Sequence, residues 1–348
     1  MKIAVIGAGI VGLSTARTLC QRGHKVTLYE RFGLFHEQGS SHGASRIVRR
    51  AYPDTFYTEC MAEAYPLWHE LEEDANERLL HECGLLYYGS DGAENLKSVA
   101  NGLQELSVPF EILDTVSVRS KLPELNLAKD EIAIWTPEAG WVNAARALRA
   151  TYNLAVSTGL QVILGRPADL HDLAGQFDVV LVAAGSWTPD FVSVPVKVTL
   201  QTYVYVESSI GGPVWIEDSK ENPYGFPADD IGQKIGLHKA GPTIDPNDDA
   251  REPDTRWLDE IREIAHRRFG IKEPVLKDSK TCLYTTTWNE DFLLGRITSN
   301  VFFASACSGH GFKMGPWIGR LLADFAEGKD APQNHPRFNF EAKLANPR

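Results

Sequence analysis

KIAVIGAGIVGLSTARTLCQRGHKVTLYE, residues 2–30, reads as a buried strand, a glycine turn, a helix and a second strand that ends in an acid. Gly7, Gly9 and Gly12 form G-x-G-x-x-G directly after the apolar run Ile3-Ala4-Val5-Ile6. Gly7 makes the tight turn, Gly9 lets the backbone approach a pyrophosphate, and Gly12 lets helix and strand pack closely. The helix beginning near Ile10 aims free N–H groups and its positive dipole end at the phosphates. Glu30 closes the next apolar strand, Val26 to Tyr29, where it can accept from ribose hydroxyls and disfavours the 2′-phosphate of NADP. A glycine fingerprint alone is weak evidence. Set at the start of a strand–helix–strand unit with its acid, it predicts a dinucleotide site.

Size and composition bound the rest. A chain of 348 residues builds one large or two medium domains with ample core. Its net charge of −11 argues against nucleic acid or an anionic membrane as partner, so an anionic ligand needs a local basic pocket. Cys20, Cys60, Cys83, Cys282 and Cys307 are odd in number and form no C-x-x-C pair. That suits a reducing cytoplasm and argues against a disulfide framework or a metal site. The apolar start reads as the first strand rather than a leader. No apolar run approaches transmembrane length, and Asn346-Pro347-Arg348 is not a peroxisomal tripeptide. The expectation is a soluble, cytoplasmic protein.

Along the chain, residues 54–74 space Tyr57, Met61, Ala64, Trp68 and Leu71 for one apolar helix face, with Pro66 a kink site. A strand is expected near Gly84–Tyr88, a helix near Glu94–Leu106 and a strand at Ile132–Trp135. A helix from an Asn143 cap should end before Gly159. Gln161–Leu164 and Phe177–Ala183 read as strands, and residues 200–240 as antiparallel strands joined by Gly and Pro turns. Val301–Ala306 reads as a strand, followed by a glycine loop and a helix over Gly315–Glu327. Nucleotide-type units at the start, middle and end predict an α/β fold: a Rossmann-like domain interleaved with a mixed, largely antiparallel β-sheet domain covering its ligand.

Four further motifs follow the fingerprint in order: Gly39-Ser40-Ser41-His42-Gly43-Ala44-Ser45-Arg46-Ile47-Val48-Arg49, Gly185-Ser186-Trp187, Thr281-Cys282-Leu283-Tyr284-Thr285 and Ser308-Gly309-His310-Gly311-Phe312-Lys313. Together they resemble the monomeric sarcosine oxidase family, whose relatives include N-methyltryptophan, pipecolate and fructosyl-amino-acid oxidases. The resemblance spans nearly the whole chain, which is at the short end for the family and so points to trimmed substrate-domain loops. It implies a monomer with covalently attached FAD that oxidises a secondary amino acid with O2, giving an imine and hydrogen peroxide. It also implies a division into an FAD-binding domain (1–78, 135–198 and 276–348) and a substrate domain (79–134 and 199–275).

The resemblance assigns roles residue by residue. Cys282 matches the flavin-attachment cysteine; Cys20, Cys60, Cys83 and Cys307 read as small buried hydrophobes, with Cys307 close to an expected flavin loop. Arg49 and Lys313 match the pair gripping the substrate carboxylate, and Arg50 reads as a solvated charge. Lys234 matches the lysine over the flavin N5 edge, where a fixed cation lowers the barrier to oxygen reduction. His238, Tyr224 and Tyr284 match the wall around the substrate amine. An alkyl amine of pKa ~10.4 costs roughly 3 kcal/mol to deprotonate at pH ~8. No residue stands out as the base, and His238 is only a candidate. Arg46 is expected beside the flavin ring. Ser41, His42, Gly185, Trp187, Gly309, His310 and Gly311 join Gly7, Gly9, Gly12 and Glu30 in holding FAD. The helix from Pro316 is placed to stabilise negative charge at the pyrimidine end. Trp288 and Trp317 are open between pocket walls and packing.

Rival classes remain at this level. One is a flavin dehydrogenase passing electrons to another carrier, against which Lys234 argues. Another is an NAD-dependent dehydrogenase sharing the fingerprint. A non-catalytic nucleotide-binding module is a third, and it has no need of Cys282, Lys234, Arg49 and Lys313 together.

Overall fold

In the computed structural model, which describes residues 1–341, the opening apolar run becomes the strand Lys2–Ile6, at the centre of a six-stranded sheet. Lys25–Glu30 and Gln161–Leu164 lie on one side, and Val179–Val182, Val301–Ser305 and Leu293–Thr298 on the other. All pairings are parallel except the hairpin Leu293–Thr298 with Val301–Ser305. The near-continuous apolar runs follow from this: a parallel strand covered on both faces has no solvent side to supply polar alternation. Helices Ile10–Gln21, Ala144–Ser157 and Gly315–Glu327 bury their apolar stripes on one another and on this sheet. The terminal tripeptide considered above lies outside the described residues.

A second sheet of eight strands runs Leu276–Thr286, Lys197–Val206, Gln233–Leu237, Pro223–Gly225, Val214–Glu217, Leu85–Ser90, Glu131–Thr136, Glu111–Leu113. It is antiparallel apart from the pairing of Val214–Glu217 with Leu85–Ser90, which is parallel. Side-chain alternation decides what each face does. Leu86, Val204, Val206, Trp215, Ile235 and Leu237 form a core on one face, closed by Trp257, Ile261, Ile264 and Ala265 of the helix Thr255–Phe269. The alternate residues face the other way, toward the cavity described below. A third, three-stranded sheet pairs Ser45–Val48 with Gly140–Asn143, and the latter with Leu80–His81.

The helix predicted from Asp54 spans Thr55–Ala75; Asp54 accepts from the Phe56 N–H at 3.0 Å, and the helix continues through Pro66. Asn143 caps Ala144–Ser157 as expected, accepting from the Arg146 N–H at 3.0 Å. Thr255–Phe269 was not read from the sequence. Its Asp254 cap and Gly270 stop are legible, but the apolar stripe is diluted by charged residues.

Candidate active site

Cavity-facing residues of the eight-stranded sheet fall into register. Leu85–Ser90 and Val214–Glu217 set Tyr87 beside Ile216, and Ile216 pairs with Tyr224. Tyr224 lies opposite Gly236, which lies opposite Tyr203. On the outer strand Cys282 is opposite Gln201 and Tyr284 opposite Thr199. Residues opposite one another, or two apart on one strand, share a face. So Tyr87, Ile216, Tyr224, Phe226, Lys234, His238, Tyr203, Cys282 and Tyr284 are presented together, and all line one cavity of about 640 Å³. That volume is typical of a small-molecule or cofactor site.

The parallel sheet supplies the opposite wall. Gly7 turns the chain at φ 105°, and a Cβ there would lie 2.4 Å from the Ala183 carbonyl oxygen. Gly12 is pressed on the Gly7 carbonyl and does not line the cavity, whereas every other predicted site residue does. Glu30 accepts from the N–H groups of Ala8 and Phe32, both at 2.9 Å, and lies 3.5 Å from the His36 imidazole. Burial works to raise its carboxyl, but these partners outweigh it and hold the group below the usual carboxylate range. A carboxylate has about four lone-pair sites, so acceptor capacity is left for a ligand. Ser41 Oγ accepts from the Ile10 N–H at 3.2 Å, beside a helix start with no side-chain cap. Trp187 donates to Asn247 Oδ1 at 2.9 Å and meets Phe32 edge-on.

Six cations line the cavity. Arg31 and Arg337 are paired with acids, whereas Arg46, Arg49, Lys234 and Lys313 are held by carbonyl oxygens and aromatic faces, without an acid partner among the described residues. Arg46 donates to the carbonyls of Ser45 at 2.9 Å and Ser40 at 2.8 Å. Lys234 donates to the Ser45 carbonyl at 2.9 Å and stands 4.4 Å from the Tyr203 ring centre. Arg49 stacks 4.0 Å over Tyr52, with one Nη buried and unpartnered. Lys313 lies 5.6 Å from the same ring and donates to the His310 carbonyl at 3.2 Å. Burial, then the neighbouring guanidinium groups, hold Lys234 and Lys313 well below the ordinary lysine value. Burial and the charges of Arg49 and Lys313 lower His238 to about 4. Burial pushes the Cys282 thiol up, although Arg46 and Lys234 pull it the other way.

Two more groups lack partners. Both ring nitrogens of buried His42 and the Tyr203 hydroxyl make no hydrogen bond among the described residues. Burial, followed by Arg46 and Lys234, lowers His42 to about 3. Orphaned polar atoms and unpaired cations converging on one cavity, with a phosphate-type glycine turn at its edge, fit a large anionic cofactor. Gly309, at φ 72°, passes close to the site: a Cβ there would lie 2.4 Å from Tyr284 and 2.6 Å from His238.

Several lining residues escaped the sequence reading: Tyr52, Tyr87, Tyr203, Ile216, Asn222 and Phe226. Spacing by two from Tyr224 could have signalled Asn222 and Phe226. The others required strand pairing. Trp288 is 67 % exposed and Trp317 is 7 % exposed within the helix core, and neither lines the cavity.

A family profile described as FAD dependent oxidoreductase matches residues 2–325. The chain is 29 % identical to human peroxisomal sarcosine oxidase, covering 92 % of this chain and 91 % of that one. It is 26 % identical to N-methyl-L-tryptophan oxidase of Yersinia pestis (strain Pestoides F), over 97 % and 98 %. The crystal structure of L-proline dehydrogenase from P. horikoshii superposes with a TM-score of 0.85 at 20 % identity, covering 99 % of this chain and 97 % of that one. No helix of the described residues is long and apolar enough to cross a membrane.

Proposed function

This chain belongs to the FAD-dependent oxidoreductase family, and from that premise we propose that it oxidises a secondary amino acid, with FAD attached through Cys282 and O2 as acceptor. Gly7, Gly9, Glu30, Ser41, His42 and Cys282 would hold FAD, which would supply a two-electron acceptor: the amine would lose a hydride from the carbon beside nitrogen and a proton from nitrogen to become an imine, and both would end on O2 as hydrogen peroxide.

The observation that carries the reading is the pair Arg49 and Lys313, 4.0 and 5.6 Å from the Tyr52 ring centre, both facing the cavity without an acid partner among the described residues. Buried cations are costly unless an anion meets them, and a guanidinium fork with an ammonium suits a carboxylate. His238, held neutral near pH 7 by its surroundings, walls the amine with Tyr224 and Tyr284. Lys234 supplies the fixed charge at which oxygen reduction is eased, and Arg46 offers charge to the ring. Tyr87, Ile216 and Phe226 give the substrate side an apolar wall. N-methyl or cyclic amino acids suit it better than a glycated one. The names of the two relatives point the same way. All five cysteines are free, in keeping with a reducing cytoplasm; the monomeric state rests on the resemblance alone.

The test is peroxide release by purified yellow protein from sarcosine, N-methyltryptophan, pipecolate, proline, fructosyl-glycine and fructosyl-valine. Peroxide from one of the first four is expected. Anaerobic bleaching without peroxide would make the protein a dehydrogenase, and no bleaching by any of them would overturn the substrate class.

A further inference from the structure

The side-chain amide of Asn222 makes no bond within the described fold. Its Oδ1 is buried and has no hydrogen-bond partner among the described residues, yet Asn222 lines the cavity. The residue sits at a left-handed φ of 47°, a conformation asparagine tolerates better than most side chains. Its backbone carbonyl accepts from the His238 N–H at 3.0 Å. Because Pro223 pairs with Leu237, Asn222 and His238 are neighbours at the end of this strand pair, and both line the cavity together with Tyr224.

The placement matters because of what lies next to it. Lys313 donates to the His310 carbonyl at 3.2 Å, and the preceding residue, Gly309, passes against the His238 ring, where a Cβ would lie 2.6 Å away; Arg49 and Lys313 both act on His238 by their charge. In an α-amino acid the nitrogen is one carbon from the carboxylate. A carboxylate held by Arg49 and Lys313 therefore delivers its amine to the region of His238 and Asn222. A neutral secondary amine carries one N–H and one lone pair. An acceptor for that N–H fixes which way the lone pair points, and a buried carbonyl oxygen without a partner gains most from such a donor.

We propose that Asn222 Oδ1 accepts the N–H of the bound secondary amine, which makes Asn222 a substrate-binding residue that selects secondary over tertiary amines. This rests on the carboxylate-clamp reading of Arg49 and Lys313. Asn222→Gly suits the left-handed backbone and removes the amide. Asn222→Asp keeps an acceptor and adds a charge.

The probes are sarcosine, followed by saturation of anaerobic flavin bleaching, and (methylthio)acetate, in which sulfur replaces the N–H, followed by perturbation of flavin absorbance. In Asn222→Gly the Kd for sarcosine should rise about tenfold, the size of one neutral hydrogen bond, while that for (methylthio)acetate stays within about twofold of wild type. Asn222→Asp should recover sarcosine binding. It should also move the rise of kcat/KM with pH to higher pH, because a carboxylate beside the amine favours its protonated form. Equal losses for both probes would show a merely structural residue and overturn the proposal, as would unchanged sarcosine binding. A wild-type flavin that responds to neither probe would instead overturn the clamp reading beneath it.

Discussion

The Lys234 ammonium donates to the carbonyl oxygen of Ser45 at 2.9 Å, a bond that ties the eight-stranded sheet to the short strand carrying Arg46. One donor is thereby used inside the protein, and the remaining N–H groups of the ammonium are available to the cavity it lines.

Replacing Lys234 by methionine removes that charge while keeping most of the side-chain volume. Reoxidation of reduced flavin by O2 should slow by about 10²–10³-fold, as when a preorganised electrostatic group is deleted. Flavin reduction by substrate should change far less. Anaerobic and aerobic stopped-flow separate the two half-reactions, and parallel changes in both would remove the oxygen role from Lys234.

Cys282 and Cys307 both line the cavity, and Cys307 Sγ accepts from the Thr285 N–H at 3.4 Å. After acid precipitation, Cys282→Ala should release its flavin into the supernatant, and Cys307→Ala should keep a yellow pellet. A yellow Cys282→Ala pellet would move the attachment elsewhere.

Lys313→Met should weaken binding of a substrate carboxylate by roughly 10–100-fold, since charged hydrogen bonds are worth about 1.5–3 kcal/mol. It also removes one of the cations that lower His238 to about 4. The His238 pKa should rise and the acid limb of the kcat/KM profile should move to higher pH. An unchanged KM with a lowered kcat would place Lys313 outside the clamp.

His42 has a folded-state pKa of about 3, against about 6.5 for an unfolded histidine. Burial is the main cause, with Arg46, Lys234, His36 and Lys280 acting in the same direction. The unfolded chain therefore takes up the proton first on acidification. The stability this histidine contributes is complete above pH ~6.5 and is lost as pH falls toward about 3, amounting to about 2 kcal/mol by pH ~5. Between pH ~7.5 and ~5, urea unfolding of wild type should lose about that much more than unfolding of His42→Asn. Equal losses would mean that His42 titrates alike in both states.

Legibility in the sequence followed the range of the interactions. Gly315–Glu327 was bounded correctly, and Asn143 was found as a cap, because caps, stops and helical spacing act within a few residues. Val214–Glu217 pairs antiparallel with Pro223–Gly225, as expected within residues 200–240, but its other neighbour is Leu85–Ser90, parallel and more than a hundred residues earlier in the chain. No local signal encodes that partner.

By itself the sequence determined the dinucleotide-type start and the fold class, and through its motifs one part of the residues that line the cavity. Gly7, Gly12 and Glu30 work by local turn geometry and close packing, which their spacing already encodes. Only the tertiary structure decided that Arg49 and Lys313 meet over Tyr52, that His42 and Asn222 are left with unpartnered atoms, and that Trp317 belongs to the core. Such facts depend on contacts between segments far apart in the chain: His42 lies in a loop, Lys313 in the turn Phe312–Met314 and Trp317 in the helix Gly315–Glu327. No spacing within one of these segments encodes which of the others it meets.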